Sequence, residues 1–283
     1  MIQAKVADLF ETTKPRILLL VILSALVGFL LSAKTFPISL LCHTLLGTAL
    51  VCASCNSLNQ LLERDVDAKM KRTRMRPLPA GRLRPNEVLI FGCSIGIVGM
   101  IYLASAVNGR TAILGALALG TYLFVYTPLK KKTPLCTWIG AVPGATPVLM
   151  GWTAARPSID LGGWILFAIV FLWQLPHFFA IASMYREDYA AAGLPMLPVK
   201  DMASANRQTV TYSLGLLVVS LLPFTLGQAG IFYFFGALIL GLIFSMLGIC
   251  VLMHKWGVSC RMVFFSSIIY LPVLLTLMVM DKT

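Results

Sequence analysis

The sequence predicts an all-α polytopic membrane protein, nine transmembrane helices in one bundle, on three observations. Of the 283 residues 58% are hydrophobic and 12% charged, about half the charged share of a soluble domain. Nine apolar segments have roughly the length, about 20 residues, that carries a helix across a bilayer's hydrocarbon core. All 23 Lys and Arg and all 11 Asp and Glu fall outside those segments. Strand-length alternation is missing, and backbone groups in lipid need partners within a helix or a closed barrel.

Residues 1–16 read as a cytoplasmic interfacial segment. Asp8, Glu11 and the helical spacing of Val6, Leu9, Phe10 and Thr13 suit a short helix at the membrane surface and argue against a removed targeting peptide. Spans follow at 17–33, 36–58, 88–108, 111–127, 134–155, 161–184, 208–228, 231–253 and 262–280. They form one domain, 17–283, because no segment outside them is long enough to fold separately. Pro143, Pro147, Pro176, Pro223 and Pro272 lie inside spans, where proline is more tolerable than in soluble helices.

Nine spans sort the basic residues. On the amino-terminal side fall Lys5, Lys14 and Arg16, the loop from Arg64 to Arg84, Lys130 to Lys132, Arg186, Lys200, Arg207, Lys255 and Arg261. The other side keeps only Lys34, Arg110, Arg156 and Lys282. Positive loops stay inside, so the amino terminus is expected in the cytoplasm and the carboxyl terminus outside a bacterial cytoplasmic membrane. The net charge of +12 is thereby explained by the membrane, and no nucleic-acid partner is expected. Seven Cys sit mostly in or beside spans; Cys52-x-x-Cys55 on an apolar helix reads as buried thiols.

With uncharged spans, chemistry concentrates at the cytoplasmic face, and an ion transporter, which needs polar groups along its path, is disfavoured. Asn59, Glu63 and Asp67 are spaced i, i+4, i+8. On a helix they stay within a face of about 80°, while Asp65 points about 160° away from Asp67. Hard oxygen donors of this kind suit Mg²⁺, which keeps waters and shares ligands with a substrate phosphate. Arg72, Thr73, Arg74 and Arg76 follow directly and suit phosphate oxygens. An ordinary positive loop would not require that register.

A second acidic segment, Tyr185-Arg186-Glu187-Asp188-Tyr189, opens on the same face, four spans later. Glu187 or Asp188 suits a second metal ion and Arg186 a diphosphate. Tyr126-x-x-x-Lys130 ends the fourth span; Lys130 can meet a phosphate and Tyr126 donate a hydrogen bond, though both are also ordinary interface anchors. His177, beside Pro176, fits an acid/base, a haem-facing ligand or an interhelical hydrogen bond equally.

At these motifs the chain resembles the UbiA-type intramembrane prenyltransferases, and among them the haem-farnesylating branch. The strings that carry the likeness run from residue 56 to 198: Glu63-Arg-Asp-Val-Asp67, Arg76-Pro-Leu-Pro-Ala-Gly, Tyr126-Thr-Pro-Leu-Lys130, Trp173-Gln-Leu-Pro-His177-Phe and Tyr185-Arg-Glu-Asp-Tyr189. The resemblance implies nine helices around a lipid-facing cavity and Mg²⁺ on Asn59, Glu63, Asp67, Glu187 and Asp188. It implies diphosphate binding by Arg72, Arg76, Lys130 and Arg186, and catalytic roles for Tyr126, Lys130 and His177. Ala191 and Ala192 stand where the family commonly has another acid, which weakens the second metal site.

The implied reaction moves the farnesyl group of farnesyl diphosphate to a vinyl carbon of haem B, with water captured as a hydroxyl, giving haem O. Membrane lipid, and haem A synthase or terminal oxidase assembly, are the further partners it implies. Two competitors remain: the same chemistry on an aromatic acid such as 4-hydroxybenzoate, and a haem chaperone, which leaves Asn59, Glu63 and Asp67 without a use.

Overall fold

The computed structural model describes residues 2–35, 37–255 and 257–283. The first residue of the predicted 36–58 span lies outside the described residues. Among those described the chain is helical without a strand, apart from one isolated bridge between Ala229 and Lys282. A short α1 (Ile2–Thr12) precedes α2 (Pro15–Ser32), α3 (Ile38–Asp67) and α4 (Pro85–Ala106). Next come α5 (Gly109–Leu129), α6 (Cys136–Ala155) and α7 (Leu161–Met184). Two short pieces, α8 (Arg186–Ala191) and α9 (Leu197–Lys200), lead to α10 (Met202–Thr225), α11 (Ile231–Leu252) and α12 (Cys260–Met280).

The starts of these helices are written locally. Pro15 and Pro85 occupy first helical positions, where a missing N–H costs nothing. Asn108 accepts from the Thr111 N–H at 2.9 Å, Asp160 from Gly162 at 3.1 Å and Asp201 from Ser204 at 2.9 Å, capping α5, α7 and α10.

Eight helices, α2 to α5, α7 and α10 to α12, are long and apolar enough to cross a membrane. The predicted 134–155 segment forms α6, which is long enough but is not among them. Gly140, Pro143, Gly144, Thr146, Pro147 and Gly151 dilute its hydropathy, and most of its length is buried in protein. Its solvent is other helices, for which small residues and close contact serve better than bulk.

The chain divides into two compact units, one running to Ser158 with Asp188–Leu194 added, the other Ile159–Glu187 with Pro195–Thr283. In the first, α3 packs on α4, and α6 on α2 and α5. A Cβ at Gly151 would lie 1.9 Å from the Ala25 carbonyl oxygen, and one at Gly28 2.1 Å from that of Val148, so two backbones touch where side chains would stand. Gly151→Ala is therefore expected to cost about 1–3 kcal/mol of stability by overpacking. Thermal unfolding in detergent should show it, with Gly215→Ala, which meets nothing within 4 Å, as the control that loses no stability.

Helix α1 is bound to the first unit by polar contacts. Thr12 Oγ1 meets Ser57 Oγ at 2.8 Å, and Asn56 and Gln60 of α3 donate to the Thr13 and Thr12 carbonyls at 2.8 and 2.9 Å. Arg82 pairs with Asp8 and Glu11, and Lys5 with Glu87. Val6 and Phe10 face outward while Thr13 is buried. A short helix thus forms in this segment, and its inner side is docked on α3.

In the second unit α10 packs on α7 and α11, and α12 on α7 and α11. Tyr233 donates to the Ser220 carbonyl at 2.6 Å and Ser220 Oγ meets the Tyr270 hydroxyl at 3.0 Å, joining three of its helices through buried polar groups that hydrocarbon would leave unpaired.

Candidate active site

Thirty residues give α3 a length of about 45 Å at 1.5 Å per residue, more than the roughly 30 Å of a hydrocarbon core. Its last turns carry Asn59, Glu63 and Asp67 on one side, 2%, 4% and 3% exposed. The Asp65 side chain is 81% exposed and turns to Arg64, as the helical register predicts.

Each of the three buried oxygen groups holds a cation. Lys130 Nζ donates to both carboxylate oxygens of Glu63 at 3.0 Å. Arg76 donates to Asp67 Oδ2 at 2.7 Å. Lys14 Nζ donates to Asn59 Oδ1 at 3.0 Å. Burial pulls the Lys130 ammonium down, but the Glu63 carboxylate more than offsets it and holds the group above the ordinary lysine range. Burial, with the nearby Arg76 charge, pulls Lys14 down to about 8.

Lys14 escaped the sequence analysis. It joins α1 to α2 in a left-handed conformation, φ 54°, unusual for a side chain with a Cβ. The available signal was Thr13-Lys14-Pro15, since a residue before proline is steered out of the right-handed helical region. α1 docking then turns this lysine onto α3.

The loop after α3 is held by Thr73, whose hydroxyl donates to the Asp67 carbonyl at 2.8 Å. The Arg72 N–H lies 3.4 Å from Asp188 Oδ2, bringing one acid of the second motif to the first within the same unit. Tyr126 stacks on Tyr122 with ring centroids 5.1 Å apart, and Lys130 Nζ lies 6.0 Å from the Tyr126 ring. Asn59, Glu63, Asp67, Arg76, Tyr126 and Lys130 therefore converge, with Arg72 and Asp188 at their edge.

Arg186 and Glu187 are exposed at the start of α8 and count with the second unit. So does His177, whose Nδ1 lies 2.7 Å from Ser267 Oγ and whose ring stacks on Trp173 and Phe264. Ser267 Oγ donates in turn to the Phe264 carbonyl at 2.6 Å. Its one proton thus spent, it accepts from His177 Nδ1–H, which leaves Nε2 as the lone-pair nitrogen.

Among the described residues no group of three or more His, Cys, Asp or Glu side chains could hold a metal ion by itself. Two carboxylates and one amide oxygen instead form an incomplete, hard donor set. That set fits Mg²⁺, which completes its shell with water and phosphate.

The model of the UbiA prenyltransferase family matches residues 21–269. A protoheme IX farnesyltransferase of Solibacter usitatus is 44% identical over 287 residues, covering 97% of this chain and 98% of its own. One of Myxococcus xanthus is 43% identical over 278 residues, covering 98% and 95%. Among solved structures, a digeranylgeranylglyceryl phosphate synthase superposes with a TM-score of 0.82 at 19% identity over 98% of each chain. A UbiA homolog from Archaeoglobus fulgidus bound to GPP and Mg²⁺ does so with a TM-score of 0.71 at 16% identity, over 96% of this chain and 99% of that one. At these identities the structures speak for the fold.

Proposed function

The chain belongs to the UbiA prenyltransferase family, and from that premise we propose that it transfers the farnesyl group of farnesyl diphosphate to a vinyl group of haem B, with addition of water, giving haem O. The acceptor rests on near-full-length identity to proteins named protoheme IX farnesyltransferase. The observation that carries the diphosphate chemistry is the buried oxygen face of α3 with a cation on each member: Asn59 with Lys14, Glu63 with Lys130 and Asp67 with Arg76.

Asn59, Glu63 and Asp67 would hold Mg²⁺, with Asp188 and Glu187 as the second motif's donors. When bound, the ion neutralises charge on the departing diphosphate. The chain's own contribution is a change of partners. Lys130 and Arg76 neutralise Glu63 and Asp67 in the free protein while Lys14 binds the Asn59 amide oxygen, and the three meet phosphate oxygens when substrate arrives, with Arg72 and Arg186 as further cations. These donors stand ready before reaction, so little reorganisation is needed as the allylic C–O bond breaks and negative charge grows on the leaving group. Tyr126 lies beside them with a phenol that can hydrogen-bond. His177 Nε2 is the candidate for a proton or for haem iron.

Competition tests the acceptor. Purified protein with Mg²⁺, farnesyl diphosphate and equal haem B and 4-hydroxybenzoate should yield haem of increased mass carrying farnesyl and hydroxyl. Prenylated benzoate with untouched haem would leave the family standing and overturn the acceptor.

The eight apolar helices make this an integral membrane protein; with α6 counted as a ninth crossing, the sorting of Lys and Arg supports a site at the cytoplasmic face. Single cysteines beside Arg110 and Arg156 should react with an impermeant maleimide in intact cells, and those beside Arg74, Lys131 and Asp201 should not. Outside labelling at Arg74 would reverse the orientation.

A further inference from the structure

Thr127 is buried, 3% exposed, one residue past a stretch of α5 that widens to π-helical geometry over Thr121–Tyr126. Such widening usually marks a functional position, since it has a cost with no local gain. Here it gives Thr127 two bonds to one carbonyl five residues back: both its N–H and its hydroxyl, the latter at 2.8 Å, donate to Tyr122. With its proton so used, Thr127 Oγ1 is an acceptor, and Asn59 Nδ2 donates to it at 3.2 Å.

The chain of donors runs one way only. Lys14 has no acceptor, so the Asn59 atom 3.0 Å from its Nζ must be the oxygen, and the NH₂ must face Thr127. An amide is nearly symmetric in shape, and without such partners either end can be presented. Only the oxygen can ligate a cation.

Resting on the assignment of Asn59 to the metal and diphosphate site, we propose that Thr127 is a positioning residue: it holds the Asn59 amide with its oxygen toward that site. In the Tyr126-x-x-x-Lys130 stretch it is therefore one of the unnamed positions that serves the motif. The same geometry makes a sharp distinction, because a carboxylate at position 59 offers oxygen whichever way it turns and needs no orienting.

The test measures Mn²⁺ binding by electron paramagnetic resonance on the full-length protein in detergent, with inorganic pyrophosphate present. Thr127→Val should raise the Mn²⁺ dissociation constant about tenfold, the lower end of what loss of a ligand's supporting hydrogen bond costs. Thr127→Ser should restore it to within about twofold of wild type on the same scale. In an Asn59→Asp background, Thr127→Val should change it by less than about twofold, as expected when the supported group no longer needs support. Thr127→Ala serves if the valine variant fails to fold. An equal loss in both backgrounds would mean that Thr127 only stabilises the π-helical stretch, and would overturn the inference. So would wild-type binding by both Thr127→Val and Thr127→Ala while Asn59→Ala binds poorly. Unchanged binding by Asn59→Ala itself would instead overturn the assignment of Asn59 on which the inference stands.

Discussion

Asp67→Asn is expected to lower farnesyl transfer by about 10²–10³-fold, the range seen when one charge-stabilising group is taken from a transition state, while Asp65→Asn stays within about twofold on the same measure. The two acids are two residues apart and share a helix, so sequence neighbourhood does not separate them. Direction does: Asp67 is 3% exposed on the face of Asn59 and Glu63, and the Asp65 side chain is 81% exposed on another. Asparagine keeps the volume and removes the charge that holds Arg76 at 2.7 Å. Product formation at saturating farnesyl diphosphate measures both variants. If Asp65→Asn lost as much as Asp67→Asn, the loop charge as a whole would be responsible and the face would not.

The second large effect is on stability. Glu63 and Lys130 have side chains 5% and 15% exposed, and removing one partner of such a pair strands the other's charge. Glu63→Ala is expected to cost about 3–5 kcal/mol, as broken buried pairs do. Replacing both by Met removes the stranded charge and should recover most of that loss, yet leave no transfer activity, because both groups stand in the proposed site. Thermal unfolding of the two variants beside wild type checks the stability half, and product mass the activity half. A doubly substituted protein as unstable as Glu63→Ala would show that the loss comes from packing and not from charge.

Helical register made much of this site legible. Asn59, Glu63 and Asp67 needed nothing but the 100° step of a helix, and the structure buries all three and turns Asp65 outward. Lys14 was illegible for a physical reason. It stands 45 residues from Asn59, and Pro15 marks only that the residue before it leaves the right-handed helical region; its reach to Asn59 depends on α1 docking against α3, which no linear pattern encodes. Thr127 lies inside the Tyr126-x-x-x-Lys130 spacing, and its contact with Asn59 depends on a π-helical stretch that the spacing does not mark. His177 shows the opposite limit: the sequence left three roles open, and the structure adds its partner Ser267, which fixes a tautomer.

The protein-encased character of α6 has a consequence for biogenesis. A segment leaving the insertion machinery is judged on its apolarity against lipid, residue by residue, and this one, interrupted by Gly140, Pro143, Gly144 and Pro147, is a poor candidate for independent partitioning. Its preferred neighbour, α2, has by then been synthesised, more than 100 residues earlier. The Gly151 and Gly28 contacts would thus act as a receptor for a late arrival, making the earlier helix a template on which the later one is seated.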